Sequence, residues 1–318
     1  MNQLDVILFS GMGSQSLGMG KELYEKNKII REKIDFCSKY LGFDLYEKVF
    51  YSDDETVVNA FEFSQLSIFC LNHAIFEYLK YTGFQIDYVL GHSLGEYNAL
   101  VAAGILQLTD ALSLLKIRIE KINEANKNEK GAMGAILGLS EEIVEEFCDE
   151  INKDGLLVEI ANFNGPNQIV VSGHFDSVNE VIKLARKRRV ISNLIDVNAA
   201  SHSFLMTEAN KEIAVAIEKI KFSNSNHIQM ISSITGNIVL EIDEYIEHFK
   251  YQLRRPVYWD KSIKTCIENK IERFIVIGSS PVLKSLVKGI DNNLNVFNIG
   301  TQEQTDELHY NQKIDVNI

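Results

Sequence analysis

Residues 88–102 read YVLGHSLGEYNALVA, and this stretch decides the fold. Tyr88-Val89-Leu90 is a short apolar run typical of a buried strand, and the run from Leu94 to Ile105 is rich in Leu, Ala and Val, as in a helix. Between them, Gly91-His92-Ser93-Leu94-Gly95 fits the pattern G-x-S-x-G. Such a turn projects the serine hydroxyl over the strand end at the positive helix N-terminus. The stretch predicts a nucleophilic Ser93; a strand–helix connection that merely uses glycines is the alternative.

On both sides of this stretch, short apolar runs alternate with helical periodicity. Val6 to Phe9 is predicted to be a strand that enters a glycine-rich turn, and Thr109 is predicted to cap a helix that runs to Ala125. Strands that alternate with helices favour a parallel sheet covered on both faces. The other elements predicted for this layer are helices over 65–79, 203–220 and 261–268 and strands over 230–234 and 274–277.

The segment from about Gly131 to Asn198 has a different order of elements. Strands are predicted over 132–139, 157–163, 168–172 and 190–197, and helices over 140–151 and 176–189. The order β-α-β-β-α-β is the ferredoxin-like arrangement, which can be inserted into a larger domain. The sequence therefore predicts a discontinuous large domain (1–128 and 199–300), a small ferredoxin-like subdomain (129–198) and a polar, aperiodic, mobile C-terminal tail (301–318).

The composition fits a folded enzyme rather than a nucleic-acid or membrane protein. The chain has 318 residues, of which 46% are hydrophobic, so it can bury a full core. Its net charge of -12 opposes non-specific binding to nucleic acid. We find no signal peptide and no apolar stretch long enough to cross a bilayer, so a cytoplasmic protein is expected. The four cysteines are widely separated, so buried reduced thiols are expected.

An activated serine needs a base, and His202 is the best candidate. It lies in Ala200-Ser201-His202-Ser203, where the chain leaves the small unit and could overhang the strand ends. His92 lies within the elbow and is expected to point away, His174 follows an apolar strand, and His73 lies on the core face of a predicted helix. Gly11-Met12-Gly13 lacks the third glycine of a dinucleotide fingerprint, and no metal-binding motif is present.

Several motifs along the chain occur together, in this order, in one known family. They are Gly11-Met12-Gly13-Ser14-Gln15, Gly91 to Tyr97, Arg118, Gly131-Ala132-Met133, Asn162-Phe163-Asn164, Gln168-Ile169-Val170, Ser201-His202, Gln252-Leu253, Pro256-Val257 and Trp259. From Val6 to about Ile290 the chain resembles the malonyl-CoA:acyl carrier protein transacylases and the related acyltransferases of fatty-acid and polyketide synthesis. The continuation Asn98-Ala99-Leu100 is similar to that of free-standing enzymes that serve modular polyketide synthases. The resemblance implies an α/β fold, an α/β-hydrolase-like parallel-sheet core with an inserted ferredoxin-like subdomain.

The resemblance also implies roles for the matching positions. Ser93 would be the nucleophile and His202 its base. Gln252 would lie in the region that orients the imidazole, where a hydrolase places a carboxylate. Backbone N–H groups of Met12 and Leu94 would form the oxyanion hole, with one donor after the nucleophile and one from a separate loop.

Arg118 would hold the free carboxylate of a malonyl group. A guanidinium fork gives a carboxylate two charge-assisted hydrogen bonds, worth about 1.5–3 kcal/mol each. The neighbouring Ile117 and Ile119 indicate partial burial, whereas an arginine on a helix face is otherwise usually a solvated charge.

Four positions around the acyl pocket depart from the family pattern. Met12 stands where the family usually has glutamine, and Ile119 where a glycine commonly follows the arginine. Gly278-Ser279-Ser280-Pro281 replaces the usual Gly-Pro-Gly, and Ser201 rather than a bulky aromatic precedes the histidine. These changes bear on which acyl unit is accepted more than on the reaction, and Ser201 leaves room for more than malonyl.

The expected activity is that of an acyl-carrier-protein S-malonyltransferase with a ping-pong mechanism. The malonyl group would pass from malonyl-CoA to Ser93 and then to the phosphopantetheine thiol of an acyl carrier protein, in fatty-acid or polyketide biosynthesis. Coenzyme A takes part as a thioester substrate, with no tightly bound cofactor and no metal. The alternatives are a proofreading acyl hydrolase that acts on acyl carrier proteins, which does not need Arg118, and an inactive docking subunit.

A dense group of basic residues at the end of the helix predicted over 176–189 is the candidate docking site for the carrier protein. On an otherwise acidic chain it would attract the acidic face of a carrier. A solvated helix C-terminus is the alternative. The group, called the basic patch below, consists of Lys183, Arg186, Lys187, Arg188 and Arg189.

Overall fold

The computed structural model describes residues 3–153, 155, 157–166, 168–197 and 199–315, with side chains as far as Leu308 in the last helix. The predicted boundary residue Asn198 and the last three residues of the predicted tail, 316–318, lie outside the described part.

The strands are short and the helices are spread along the whole chain. The strands are β1 (Asp5–Phe9), β2 (Tyr88–Gly91), β3 (Gly131–Leu137), β4 (Val158–Gly165), β5 (Gln168–His174), β6 (Ser192–Leu194), β7 (Gln229–Ile231), β8 (Arg273–Ile277) and β9 (Asn295–Ile299). The helices are α1 (Lys21–Lys26), α2 (Lys28–Leu41), α3 (Glu55–Asn59), α4 (Phe61–Tyr81), α5 (Gly95–Ala102), α6 (Leu108–Asn128), α7 (Glu141–Asn152), α8 (Phe175–Lys187), α9 (Thr207–Ile217), α10 (Ile242–Phe249), α11 (Trp259–Glu268), α12 (Val282–Ile290) and α13 (Gln302–Asp315). Of these helices, none has both the length and the apolar composition needed to cross a bilayer.

The larger sheet has five parallel strands in the order β7-β2-β1-β8-β9. Its central strand β1 is buried on both faces. Ile7 and Phe9 belong to the core that includes α2, α4, α5 and α6, whereas Val6 and Leu8 pack on the opposite face with residues of α11 and α12. Because alternate residues of a strand point to opposite faces, a fully apolar strand requires helices on both sides. The predicted doubly covered parallel sheet is confirmed.

The smaller sheet has four antiparallel strands in the order β4-β5-β3-β6, with α7 and α8 packed on one face. Its elements follow one another as β-α-β-β-α-β, so the predicted ferredoxin-like unit, inserted between parts of the larger sheet, is confirmed. The edge strand β4 joins it to the rest of the chain. Phe163 N donates to Val257 O at 2.8 Å, and Val257 N donates to Ala161 O at 2.9 Å. The exact domain boundaries stay a prediction.

Three local predictions are wrong. Thr109 does not cap α6, which begins one residue earlier with Gln107 at the cap position and no side-chain capping bond. The strand predicted over 190–197 is only three residues long, because the chain turns after Leu194 and Val197 N donates to Ile195 O at 2.9 Å. Residues 302–315 of the predicted mobile tail form α13, which packs against β9 and α1 through side chains that include the buried Leu308.

Candidate active site

Ser93 lies in the sharp turn between β2 and α5 and has a left-handed backbone φ of 51°. The flanking glycines are required because the backbone is packed too closely for a side chain. A Cβ on Gly91 would lie 2.0 Å from the Gly95 carbonyl carbon, and a Cβ on Gly95 would lie 2.2 Å from the Phe9 carbonyl oxygen. The sequence pattern therefore produces the strand–serine–helix turn that it predicts.

His202 lies within hydrogen-bonding distance of Ser93. Ser93 Oγ is 2.7 Å from His202 Nε2. On the other side of the ring, Nδ1 lies 2.8 Å from the carbonyl oxygen of Arg255 and 3.1 Å from that of Gln252. Because a carbonyl oxygen can only accept, Nδ1 carries the proton and Nε2 is free to accept the serine proton. This is the tautomer that a general base for Ser93 requires.

The imidazole of His202 is only 2% exposed. Burial lowers its pKa from 6.5 to about 4, and the hydrogen bond to the Arg255 carbonyl opposes this shift. The nearby charge of Arg118 lowers the pKa further. The ring is therefore neutral at physiological pH and can accept a proton.

Gln252 contacts both members of this pair. Its backbone carbonyl accepts from His202 Nδ1, as described above, so it lies in the region where the sequence places it. Its side chain does something else: Gln252 Nε2 donates to the backbone carbonyl of Ser93 at 2.7 Å. The position that a hydrolase gives to a carboxylate is therefore occupied by two backbone carbonyls, those of Gln252 and Arg255.

Arg118 lies on α6 and is 2% exposed. Its Nη1 donates to Gln65 Oε1, and its Nε has no hydrogen-bond partner among the described residues. Burial lowers the pKa of the guanidinium, which nevertheless remains charged. We find no carboxylate within ion-pairing distance in the described part of the chain, so this buried cation is available to an anionic ligand.

The amides of Met12 and Leu94 come from two loops that lie side by side. A Cβ on Gly11 would lie 2.5 Å from His92 O and 3.6 Å from Leu94 N, so only glycine allows this approach. Neither the Met12 nor the Leu94 amide donates to a protein acceptor within the described ranges. Both amides are therefore free to stabilise an oxyanion.

One cavity of about 320 Å³ is lined by several of these residues. Ser93, His202, Arg118 and Met12 line it, as does Ser201, one of the departures from the family pattern. Its remaining walls are mostly apolar and come from the start of α4, the small unit and the start of α12. They include Phe61, Met133, Ala135, Val170, Ile195, Val197, Val282, Leu283 and Leu286.

His92, which was predicted to point away, is among the residues that line this cavity. The ring is held edge-on to Trp259, with 5.1 Å between ring centroids. His92 Nε2 lies 2.9 Å from Asn164 Oδ1, whose amide in turn donates to Gln168 Oε1 at 3.3 Å. Side-chain direction in a tight turn depends on tertiary neighbours that are not visible in the elbow sequence.

Two buried polar residues near the site were not singled out from the sequence. Gln65 is fully buried and fixes one nitrogen of the Arg118 guanidinium. Glu96, in the first turn of α5, is also fully buried and accepts hydrogen bonds from the hydroxyls of Ser232 (2.7 Å), Ser233 (2.8 Å) and Tyr245 (3.0 Å). Burial raises the pKa of Glu96 to about 7. Its place directly after the elbow, within the family motif Gly91 to Tyr97, was the sequence signal.

The basic patch lies at the exposed C-terminal end of α8 and the turn that follows, and its residues do not line the cavity. Two of its members have local polar partners, and the Arg188 guanidinium lies over the Phe147 ring, 6.0 Å from its centroid. Lys183 pairs with Glu180 at 2.6 Å, and Arg186 Nη2 donates to Ser192 O at 2.9 Å. Lys187, Arg188 and Arg189 are therefore the cations best placed to meet a partner. No cluster of three or more potential metal ligands is found among the described residues.

Comparison with known proteins gives the same picture over nearly the whole chain. The family model for the acyl transferase domain matches residues 6–310. The malonyl CoA-acyl carrier protein transacylase of Bacillus subtilis is 34% identical over 299 residues, which cover 93% of this chain and 93% of the relative. The protein of the same name from Staphylococcus aureus is 30% identical over 300 residues, covering 93% of this chain and 96% of the relative.

Solved structures agree with the sequence comparisons. The malonyl CoA-acyl carrier protein transacylase of Clostridium perfringens superposes with a TM-score of 0.91 at 30% identity and covers 98% of both chains. A malonyl-transacylase solved in complex with a type II PKS acyl-carrier protein gives a TM-score of 0.90 at 27% identity, with 95% of this chain and 97% of that chain covered. The elbow and the Ser93–His202 pair agree with these matches. The chain belongs to the acyl transferase domain family.

Proposed function

We propose that this acyltransferase moves a malonyl group from malonyl-CoA to Ser93 and then to the phosphopantetheine thiol of an acyl carrier protein. The relatives named above carry this activity in their names. The single observation that carries the proposal is the position of Arg118. It is a buried guanidinium without a carboxylate partner in the described part of the chain, and it lines the same cavity as Ser93 and His202.

Arg118 supports a substrate with a free carboxylate. A buried cation without a counter-ion is costly, and an acyl group that ends in a carboxylate supplies that counter-ion. The Nε atom of Arg118 and the Nε2 atom of Gln65 are both buried and without partners among the described residues. The carboxylate of malonate can accept from the guanidinium, whereas an acetyl group cannot.

Acylation starts from the hydrogen bond between Ser93 Oγ and His202 Nε2. His202 takes the hydroxyl proton while Oγ forms a bond to the thioester carbonyl carbon, and the carbonyl electrons move to oxygen. The amides of Met12 and Leu94 stabilise this oxyanion. The carbonyl then re-forms, the C–S bond breaks, and the coenzyme A sulfur leaves with the proton from the imidazolium. The imidazole both removes the serine proton and delivers it to the leaving sulfur, so no second acid is needed.

Deacylation repeats these steps with a different nucleophile. The pantetheine thiol of the carrier protein gives its proton to His202, its sulfur attacks the acyl-serine carbonyl, and the Ser93 oxygen leaves and recovers the proton. The residues named here suffice for this chemistry, and we propose that coenzyme A takes part only as a thioester, with no tightly bound cofactor. Apolar walls around the acyl-serine disfavour attack by water.

The proposal is tested by intact-mass analysis after the protein is mixed with malonyl-CoA, acetyl-CoA or methylmalonyl-CoA. We expect a malonyl adduct on Ser93 that disappears when a phosphopantetheinylated carrier protein is added and reappears on the carrier. Loading of methylmalonyl as well would show that the site accepts a branched unit, for which Ser201, in place of a bulky aromatic, leaves room. No adduct from any of the three thioesters would contradict the proposal.

A proofreading hydrolase on the same scaffold is the second candidate. The burial of Arg118 favours the transferase, because hydrolysis of general acyl groups does not need a carboxylate anchor. The two are separated by the fate of the malonyl-serine without carrier protein. A transferase retains the adduct, whereas a hydrolase releases free malonate. Turnover of any acyl-CoA also excludes an inactive docking subunit.

We further propose that the basic patch meets the acidic face of the carrier protein. Lys187, Arg188 and Arg189 are exposed on a chain with net charge -12, so they form a local positive region on an acidic surface.

The proposed location is the cytoplasm, and the proposed organisation is a large domain of residues 1–128 and 199–300 that carries a subdomain of residues 129–198.

A further inference from the structure

The side chain of Gln252 contacts the nucleophile rather than the base. It is 3% exposed, and its Nε2 donates to the backbone carbonyl of Ser93 at 2.7 Å. Its Oε1 has no hydrogen-bond partner among the described residues, so this single bond is the polar contact that determines the orientation of the amide. The contact joins two residues that are 159 positions apart in the sequence.

The contact is made at a strained point of the backbone. Within the described part of the chain, four residues other than glycine have a positive φ, and Ser93 (51°) and His202 (61°) are two of them. A residue with a Cβ keeps this conformation only when its surroundings hold it in place. The carbonyl oxygen of Ser93 accepts two hydrogen bonds. One comes from Glu96 N of α5 at 3.0 Å, and the other comes from Gln252 Nε2.

The imidazole does not depend on the Gln252 side chain. His202 Nδ1 donates to the backbone carbonyls of Arg255 (2.8 Å) and Gln252 (3.1 Å), and His202 N donates to Leu253 O at 2.8 Å. The atoms that residues 252–255 contribute to these contacts are all backbone atoms. A substitution at position 252 therefore removes the contact with Ser93 and leaves the contacts that orient the ring.

The segment that carries Gln252 has its own attachment to the nucleophile helix. Tyr245 on α10 donates to the buried Glu96 on α5 at 3.0 Å, and Gln252 N donates to Phe249 O at 3.0 Å. The segment is thus joined to α5 independently of the Gln252 side chain, so a substitution there leaves the path of the backbone in place.

We infer that Gln252 is a positioning residue for the nucleophile: its side-chain amide holds the Ser93 carbonyl so that Oγ stays at hydrogen-bonding distance from His202. The inference rests on the proposed acyl transfer through Ser93. The rival explanation is that the Gln252 side chain orients the imidazole, as the carboxylate of a hydrolase does. The two explanations differ in what a substitution does to the pH dependence of the reaction.

The test compares Gln252→Met, which keeps the volume and removes the donor, with Gln252→Ala and the unaltered enzyme. Steady-state malonyl transfer is measured across the pH range, and Ser93 is separately labelled with a fluorophosphonate, which reports nucleophile reactivity without malonyl-CoA. We expect both variants to lose about 10- to 100-fold in kcat, with little change in KM for malonyl-CoA and an unchanged acid limb of the pH profile. Fluorophosphonate labelling of the two variants is expected to slow by a similar factor.

Two results would overturn the inference. One is a Gln252→Met enzyme with normal kcat, which would mean that only volume matters at this position. The other is an acid limb that moves towards the ordinary histidine pKa, which would mean that the side chain serves the base. Melting temperatures of both variants show whether a loss of kcat comes from unfolding. If part of a variant is unfolded, the labelling rate of its folded fraction shows whether Ser93 itself is less reactive. The two failures are distinguishable: an unaltered enzyme that labels normally but does not transfer malonyl contradicts the proposed function, whereas variants that match an active unaltered enzyme in both assays contradict the inference.

Discussion

The two ends of the catalytic cavity are built in opposite ways. At the reacting end, the nucleophile and the base already have partners: Ser93 Oγ meets His202 Nε2 at 2.7 Å, and Nδ1 of the same ring donates to two backbone carbonyls. At the acyl end, Arg118 Nε and Gln65 Nε2 are buried and have no partner among the described residues. The serine–histidine pair is thus assembled without substrate, whereas the buried donors of the acyl end gain their partner only from a ligand.

The two ends show how one scaffold separates the chemical step from the choice of acyl group. The reacting end depends on backbone geometry and on the two close glycine contacts at the elbow, so it does not change with the acyl group. The acyl end has an uncompensated positive charge in an apolar cavity, where the difference between a carboxylate and a methyl group has its largest effect. Substitutions at the first end should affect all substrates, and substitutions at the second should affect some.

The largest effect is expected from Ser93→Ala. Removal of the nucleophile should abolish formation of the acyl-enzyme with every thioester and lower transfer by about 10⁶-fold, close to background. Intact mass and a carrier-loading assay check this, with the melting temperature as a control for folding. Retention of a covalent malonyl adduct by this variant would place the nucleophile elsewhere.

A smaller and selective effect is expected from Arg118→Lys. The substitution keeps the charge but replaces the planar fork with a point charge, so one of the two hydrogen bonds to the carboxylate is lost. We expect kcat/KM for malonyl-CoA to fall about 10- to 100-fold, while slow loading of acetyl-CoA stays the same. An equal loss for both thioesters would show that Arg118 supports the reacting end and not the acyl end.

The pH dependence of acylation reports on the reacting end alone. The pKa of His202 is lowered by burial to about 4, so the neutral base is present above that value and is lost as the pH falls through it. The acylation rate should therefore stay level from about pH 8 to about pH 5.5 and fall about tenfold per unit only below pH 4. Rapid-quench intact mass at each pH measures it. A midpoint near 6.5 would mean a solvated imidazole.

The support behind the elbow should also respond to pH. The pKa of Glu96 is raised from 4.5 to about 7 by burial, so its contribution to stability is fully present below 4.5 and is lost as the pH rises through 7. Glu96→Gln removes the titrating group, and the decline of the melting temperature between about pH 5 and pH 8 should become flatter. Differential scanning calorimetry of both proteins checks this. Parallel curves would show that the carboxyl does not titrate in this range.

The smallest effect is expected at the exposed surface, outside both ends of the cavity. Reversal of charge at Lys187, Arg188 and Arg189 should raise KM for the carrier protein about 3- to 10-fold, more at low salt than at high salt, and leave KM for malonyl-CoA unchanged. Lys211→Glu, an exposed lysine of α9 that pairs with Glu208, is the control. An unaltered KM for the carrier protein would contradict a docking role for the basic patch.

The sequence was informative where local chemistry dictates structure. The glycines at positions 91 and 95 are visible in the elbow pattern, and the backbone contacts of these two positions explain why no other residue fits. The parallel sheet follows from apolar strands such as β1, and the small sheet follows from the order of its elements. The resemblance to a family brought His202, Arg118 and Gln252 together before their positions were known.

The sequence was uninformative where tertiary contacts decide. The Gln252 side chain bonds to Ser93 across 159 positions, and nothing near either residue indicates it. The ring of His92 contacts Asn164 and Trp259, which lie far from the elbow in the sequence. The sequence of helix α13 resembles a polar tail because few of its residues are buried; Thr305 and Leu308 are two that are. The helix packs against β9 and α1, and these contacts form only in the folded chain.

The separation of reaction from selection is tested most directly by a competition. Malonyl-CoA and acetyl-CoA are offered together to the unaltered enzyme and to Arg118→Ala for a single turnover, and the two adducts on Ser93 are counted by intact mass. We predict that malonyl dominates in the unaltered enzyme and that the variant loses this preference while it still forms acetyl-serine at the original rate. An unchanged malonyl preference in the variant, or equal loss of both adducts, would contradict the account.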